Sequence, residues 1–288
     1  MKIAFLCNPA PHRVKKFPSL VSLIQKTVPA EREIFLVDRG KPDSLESHVG
    51  KMLDAGYERI AVAGGDGTLN RAVNALIARK ALGKVTLGVV PFGTCNDFAR
   101  CMGLSPLRIE RSLRALSRDK PRAIDIGRVN GHFFINNAGF GKRRPGDSGK
   151  AGVRVLSEMK PEGIKASWNG GALEGKFFMM LCANAPFFGG GKRFSKRSDP
   201  ADGALDFFFV KKMLKINLAL QFIIGKAHLP MQLLKTSKRI LKVSAQKLKL
   251  ETETPVSVLV DGESKPGLER VREAVFEIAG KCSVLSPR

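Results

Sequence analysis

The run Ile60-Ala61-Val62-Ala63-Gly64-Gly65-Asp66-Gly67-Thr68-Leu69-Asn70 decides the fold of the first part of the chain. A short apolar run stops at two glycines, and apolar residues at helical spacing (Leu69, Val73, Leu76, Ile77) begin directly after it, which reads as strand, tight turn, helix. The same alternation extends upstream: Ile3-Ala4-Phe5-Leu6, then Leu20, Val21, Leu23 and Ile24, then Ile34-Phe35-Leu36-Val37, then Leu45, Val49, Met52 and Leu53. This βαβαβ order predicts a parallel sheet covered on both faces, with ligands near the carboxyl ends of its strands.

Beyond residue 120 the texture changes to strand-like runs with turn signals, including residues 123–129, 133–136, 177–183, 205–210, 240–244 and 256–260. Asn130-Gly131 is a hairpin turn in this reading. We therefore expect an α/β domain over residues 1–122 and a β-rich antiparallel sandwich over 123–288, with the final strand or strands returning toward the first domain. One helical segment is expected at 214–234, and the Gly-rich basic stretch 142–176 reads as a mobile loop or small lid.

The chain has 288 residues, enough for one large domain or two ordinary ones. Its 49 Lys and Arg against 26 Asp and Glu give +23, a field that draws a protein to polyanions, with anionic lipid and nucleic acid the leading candidates. One Trp, one Tyr and no nucleic-acid-binding signature argue against nucleic acid. Cys7, Cys95, Cys101, Cys182 and Cys282 are odd in number and contain no C-x-x-C pair, so neither a disulfide framework nor a zinc site is expected, and a reducing cytosol fits. His12, His48, His132 and His228 show no metal spacing. No apolar stretch approaches the roughly 20 residues of a membrane-spanning helix. The expected location is therefore the cytoplasm, peripherally associated with the inner membrane face through basic clusters such as Arg13, Lys15 and Lys16.

Glycines at the end of a strand let the backbone approach a ligand, and the N–H groups of a following helix form an anion site suited to phosphate. An Asp in such a loop repels phosphate unless a cation intervenes, so Asp66 points to Mg²⁺–nucleotide chemistry. A simpler reading makes the stretch a tight turn with Asp66 as a cap. A second loop of this kind, Pro91-Phe92-Gly93-Thr94-Cys95-Asn96-Asp97-Phe98-Ala99-Arg100, follows the apolar run at 85–90, and the two would line one crevice.

With these two loops the sequence resembles the diacylglycerol kinase catalytic-domain family of lipid kinases, related to the sphingosine and ceramide kinases. The resemblance rests on Asn8-Pro9, Gly64-Gly65-Asp66-Gly67-Thr68, the second loop, Gly189-Gly190-Gly191 with Asp199-Pro200-Ala201-Asp202-Gly203, and Asp261-Gly262-Glu263, in that order along nearly the whole chain. It implies a first domain like that of NAD kinases and phosphofructokinases. It also implies ATP held by Asn8, Gly64, Gly65, Asp66, Gly67, Thr68, Leu69, Asn70, Thr94, Asn96 and Asp97, and Mg²⁺ held by Asp199, Asp202 and the backbone of Ala204. Glu263 would be the general base, with Asp261 and Asp66 as further catalytic carboxylates, acting on the hydroxyl of a membrane lipid alcohol such as diacylglycerol or a sphingolipid relative.

On the residues alone, Asp199 and Asp202 read equally as turn formers and Asp261-Gly262 as a hairpin turn. The chain departs from the family pattern at Ala10-Pro11-His12, where a glycine is usual, and at Arg71, where many relatives carry Glu. Two other functions stay open: a kinase for a soluble alcohol, NAD kinase-like, since such kinases also use a Gly-Gly-Asp-Gly loop, or, from these departures, a catalytically weak member that binds membrane or nucleic acid. A homodimer is compatible with either.

Overall fold

The computed structural model describes residues 2–29, 31–38, 40–118, 120–140, 161–211 and 240–286. The chain divides into two compact units: Met1–Ile126 with Phe187–Lys192 and Gly280–Arg288, and Gly127–Pro186 with Arg193–Ala279. The division expected after residue 122 thus falls at Ile126, inside a strand, and two later segments join the first unit.

In the first unit the order is β1 (Lys2–Cys7), α1 (Phe17–Thr27), β2 (Glu31–Leu36), α2 (Ser44–Asp54), β3 (Arg59–Gly64), α3 (Asp66–Ala78), β4 (Thr86–Pro91), α4 (Asp97–Cys101), α5 (Ile109–Arg118) and the start of β5 (Pro121–Val129). A 3₁₀ turn at Pro11–Lys16 precedes α1. The strands pair in parallel in the order β2-β1-β3-β4. β1, β3 and β4 are buried almost throughout, as an apolar run must be when helices cover both faces. Helix α3 buries Leu69, Ala72, Val73 and Leu76, its i, i+3, i+4 and i+7 positions, and directs Arg71 outward. Phe5, Ile24, Ala63, Phe92, Leu113 and Leu285 belong to one core cluster.

The second unit takes the end of β5, then β6 (His132–Phe134), β7 (Asn137–Phe140), β8 (Glu162–Trp168), β9 (Gly171–Phe177) and β10 (Met179–Ala183). The short strands β11 (Phe187–Phe188) and β12 (Lys192–Arg193) follow. The chain finishes with β13 (Leu205–Val210), β14 (Ile240–Ala245), β15 (Lys247–Val256), β16 (Val258–Val260), β17 (Glu263–Ser264) and β18 (Val271–Leu285). One antiparallel sheet runs β14-β13-β10-β7-β16-β17, and β18, β15, β8 and β9 pair in succession in another. The core between them joins Met180, Phe207, Phe209 and Val260 to Ile164, Leu250 and Phe276, which makes the unit a sandwich. Phe207 and Phe276 meet edge to face with centroids 5.9 Å apart, a contact of about 1 kcal/mol beyond burial.

The Asn130-Gly131 hairpin is present: Val129 pairs with His132, and both turn residues have positive φ, 43° and 89°. The mobile loop expected at 142–176 is overturned from residue 162 onward, where β8 and β9 form a regular hairpin paired from Glu162 with Phe177 to Trp168 with Gly171. Its pattern is faint because β9 buries only Phe177 and β8 only Gly163, Ile164 and Ala166. The run expected at 256–260 is broken at Ser257, between β15 and β16. Residues 142–160 and the helix expected at 214–234 lie outside the described residues. Among the described residues no helix is long and apolar enough to cross a membrane, and all five cysteines are free thiols.

Candidate active site

Two loops at the carboxyl edge of the first unit's sheet touch backbone to backbone. β3 ends at Gly64 and α3 begins at Asp66, while β4 ends at Pro91 and α4 begins at Asp97. A Cβ on Gly93 would lie 2.2 Å from the Cα of Gly65, and one on Gly65 would lie 3.2 Å from the Cα of Gly93. Only glycine at position 93 permits this approach. Asn96, buried and left-handed at φ 54°, closes the second loop: its Oδ1 accepts the Gly93 N–H at 2.9 Å and its Nδ2 donates to the Gly93 carbonyl at 2.8 Å.

The carboxylate of Asp66 accepts the backbone N–H of Asp97 at 3.0 Å and of Phe98 at 2.9 Å. It thereby caps α4, a helix that starts 31 residues further along the chain, and fastens the first loop to the second. The carboxylate of Asp97 in turn accepts the N–H groups of Gly190 at 3.1 Å and Gly191 at 2.5 Å. Gly189, Gly190 and Gly191 have φ of 66°, 91° and 90°, a run of backbone that turns successive N–H groups toward an anion. Burial pushes the Asp97 carboxyl above its ordinary value; the two glycine N–H groups and Arg100 oppose the rise, and the Asp66 charge adds to it. Burial likewise raises the Cys95 thiol, with Asp97 and Asp66 contributing, so this half-buried cysteine is held as a neutral thiol.

Helix α3 has Gly65 as its N-cap and receives no side-chain cap. The N–H groups of its first turn, including those of Gly67 and Thr68, have no acceptor within the helix and carry the positive end of its dipole. Asn8, just after β1, donates its Nδ2 to Thr68 Oγ1 at 3.1 Å and its backbone N–H to the Ala63 carbonyl at 2.9 Å. Its Oδ1 is buried and has no hydrogen-bond partner among the described residues. An orphaned amide oxygen beside an uncapped helix start fits an occupant with both donors and negative charge, as a nucleoside phosphate has. Thr94 is exposed at the tip of the second loop. Leu69 and Asn70 turn inward: Leu69 lines a small cavity with Gly64, Gly65, Asp66, Asn96 and Ala99, and Asn70 Oδ1 accepts Asn74 Nδ2 at 3.1 Å.

Two departures from the family pattern acquire a physical meaning. Arg71 makes a two-bonded ion pair with Glu46 at 2.9 and 2.6 Å and donates to the Pro42 carbonyl at 2.6 Å, bracing α3 against α2. At the early turn, the Arg13 guanidinium lies 5.5 Å from the centroid of the Phe92 ring, so a residue of the turn stacks on the residue that opens the second loop. The spacing of Arg13 and Phe92 in sequence gives no signal of that contact.

The remaining site residues lie in the second unit. Asp261, at φ 48°, accepts three consecutive backbone N–H groups, from Ile135 at 3.0 Å and from Asn136 and Asn137 at 2.9 Å each, and donates its own N–H to the Asn137 carbonyl at 2.8 Å. Glu263 is exposed at the end of the same turn and pairs with Lys265 Nζ at 2.8 Å. Asp199 Oδ1 accepts the Ala201 N–H at 3.1 Å and Asp202 Oδ1 the Ala204 N–H at 3.0 Å, two successive side-chain turns. No cluster of three or more His, Cys, Asp or Glu able to hold a metal occurs among the described residues. An ion that keeps most of its waters needs only one or two carboxylates, so the Asp199–Asp202 turn matches Mg²⁺ in donor type.

Asp206 stands in no motif that singles it out, yet it is buried and takes the Lys242 ammonium at 2.8 Å and the hydroxyls of Ser198 and Ser244. Burial acts to raise its carboxyl, but Lys242 and the two hydroxyls outweigh it and hold the group below its ordinary value. Through Ser198, Asp206 anchors the segment that leads into the Asp199 turn to β14.

Residues 2–129 match the sequence model of the diacylglycerol kinase catalytic domain. A diacylglycerol kinase of Bacillus subtilis is 29% identical over 222 residues, spanning 72% of this chain and 71% of its own. A probable lipid kinase of the YegS-like type from Pseudomonas aeruginosa is 33% identical over 173 residues, 55% of this chain and 56% of its own. The solved structure of a putative diacylglycerol kinase from Bacillus anthracis superposes with a TM-score of 0.77 over 99% of this chain and 97% of that one, at 22% identity, which establishes the shared fold. The two-unit architecture and these matches make the protein a kinase. The likeness to the diacylglycerol kinase catalytic domain is carried by residues 2–129, and the relatives that extend it further along the chain are named as diacylglycerol and lipid kinases.

Proposed function

We propose that this kinase transfers the γ-phosphoryl group of ATP to the hydroxyl of a membrane lipid alcohol, diacylglycerol or a sphingolipid-type relative. The observation that carries the nucleotide half of this reading is the uncapped start of α3 next to the buried, unpartnered Oδ1 of Asn8. The first-turn N–H groups bind phosphate oxygens, Asn8 receives a donor from the nucleotide, and Gly65 with Gly93 leaves room for close approach. Asp66 and Asp97 hold the loops in register through the backbone. Bound Mg²⁺ supplies charge neutralisation, and Asp199, Asp202 and the Ala204 backbone are the residues that would hold it.

Glu263 accepts the proton of the lipid hydroxyl. A neutral alcohol is a poor nucleophile, and a carboxylate on an exposed turn has the chemistry to take its proton. Asp261 sets the turn that presents Glu263, its oxygens engaged by three backbone N–H groups. The +23 charge supports peripheral association with an anionic membrane surface on the cytoplasmic side. The ion pair of Arg71 with Glu46 directs that cation toward α2, which removes one argument for a catalytically weak member. Transfer of label from γ-labelled ATP to a panel of lipid alcohols in anionic mixed micelles tests the proposal. Incorporation into at least one lipid, abolished by omitting Mg²⁺, is expected; no incorporation into any would refute it.

A further inference from the structure

Among the described residues, four large apolar side chains are conspicuously exposed: Val14 at 50%, Leu36 at 49%, Leu107 at 92% and Phe188 at 42%. All four belong to the first unit. Topology gathers them further, at the carboxyl edge of its parallel sheet. Val14 lies in the 3₁₀ turn that follows β1, and Leu36 is the last residue of β2. Phe188 directly precedes the glycines whose N–H groups hold Asp97 at the start of α4.

Leu107 sits two residues before α5. The far end of that helix is pinned to the opposite edge, where Arg59, the first residue of β3, donates to the Leu116 carbonyl at 2.8 Å. Ten residues of helix span about 15 Å, which returns Leu107 to the carboxyl edge.

These tips are flanked by cations. Arg13, Lys15 and Lys16 surround Val14, and Arg108 and Arg111 follow Leu107. None of these five has a carboxylate partner among the described residues, whereas Glu110 between them is paired with Arg114. Asp38 and Asp43 are the exposed acids on the Leu36 side. Single apolar tips set among cations suit a bilayer interface, where hydrocarbon meets the acyl boundary and cations meet lipid phosphates. A folded protein partner would call for one contiguous apolar patch instead.

We propose that this carboxyl edge is the surface by which the protein docks on an anionic lipid bilayer, with Leu107 and Val14 as its principal inserting side chains. The proposal rests on the membrane-lipid reading given above for its choice of partner. It adds that the edge bearing the glycine loops is the one laid against the headgroups.

The test uses the full chain and vesicles of phosphatidylcholine with and without phosphatidylglycerol, read by co-sedimentation in the absence of nucleotide. The wild type is expected to bind the anionic vesicles and to be released by high salt. V14S combined with L107S should weaken that binding about tenfold while leaving thermal unfolding unchanged, since both side chains are exposed. K84A, at the amino edge just before β4, should leave binding nearly unaltered. Equal binding by the double variant, or full competition by a single-stranded oligonucleotide, would overturn the docking face.

A parallel phosphorylation assay with a short-chain lipid alcohol dispersed as monomers separates the two ideas. If the double variant loses vesicle binding but the wild type phosphorylates no lipid, the docking face stands and the kinase substrate is misassigned. If lipid is phosphorylated while the double variant binds vesicles normally, the substrate stands and the docking face falls.

Discussion

Asp66 in the first unit and Asp261 in the second occupy the centres of two motifs, and the backbone uses them in the same way. Each directs its carboxylate at amide N–H groups far along the chain: Asp66 at two in the first turn of α4, Asp261 at three in the segment entering β7. They differ in what the clamp holds. Asp66 joins two loops and leaves an uncapped helix start between them, a site made of backbone. Asp261 holds itself in a left-handed conformation and leaves a neighbouring side chain, Glu263, exposed on the turn. The motif aspartate is thus a clamp in both places, and what it leaves presented is a set of amides in one unit and a carboxylate in the other, the groups to which the proposed function assigns the chemistry.

That comparison is easiest to break at Glu263. Glu263→Gln keeps size and hydrogen bonding but removes the proton acceptor, so turnover should fall about 10²- to 10⁴-fold with nucleotide affinity and unfolding unchanged. Steady-state kinetics with a phosphorylated lipid alcohol would show it; wild-type turnover would mean that the turn contributes no base. The clamps come next. Asp261→Ala strands three backbone donors and a strained φ, an expected loss of about 3 kcal/mol in urea unfolding, against about 2 kcal/mol for Asp66→Ala, which strands two. The reverse order would show that joining loops matters more to stability than holding a turn. Although Asp66 lies in a loop, the cap it places on α4 makes it a residue of the framework.

A smaller effect is expected at the loop contact. Gly93→Ala forces a methyl group to within 2.2 Å of Gly65, so the loops must part. Overpacking of this kind costs about 1–3 kcal/mol, and nucleotide binding followed by calorimetry should weaken with it, while Gly83→Ala, open on the surface, should do nothing.

The smallest prediction concerns pH and has opposite signs in the two units. Asp206 is held below the ordinary value of 3.8, so its contribution to stability is complete above 3.8 and is lost as pH falls through its lowered folded value. Asp97 is held above 3.8, so its contribution is complete below that value and is lost as pH rises through the raised one. Urea midpoints between pH 3 and 7 should therefore lose acid sensitivity in Asp206→Asn and gain stability near neutrality, relative to wild type, in Asp97→Asn.

The parallel sheet was legible because each of its buried strands is a short apolar run closed by a turn residue, and Asn130-Gly131 announced its hairpin through the φ it needs. The β8–β9 hairpin was not, because an edge strand that buries only Phe177 writes almost no alternation. At the site, the glycine loops could be found from local spacing alone. The partners of Asp66, Asp97 and Asp261 could not, since each lies tens of residues away and is a backbone amide, a group that every residue except proline carries. Asp206 escaped for a related reason: Ser198, Ser244 and Lys242 are ordinary surface types until two strands bring them together.

Strand β18 sets an order of events during synthesis. Its last residues pair in parallel with β4, Ser283 beside Thr86 and Val284 beside Leu87, and Leu285 fills the core of the first unit. A nascent chain that has already made β1 through β4 therefore carries an unpaired flank on β4 while the whole of the second unit emerges from the ribosome. Such an open edge invites pairing with other chains. The glycine loops are thus encoded early but sit on a sheet whose β4 flank closes only after β18 has been made, and that closure is slow because it joins residues about 200 positions apart.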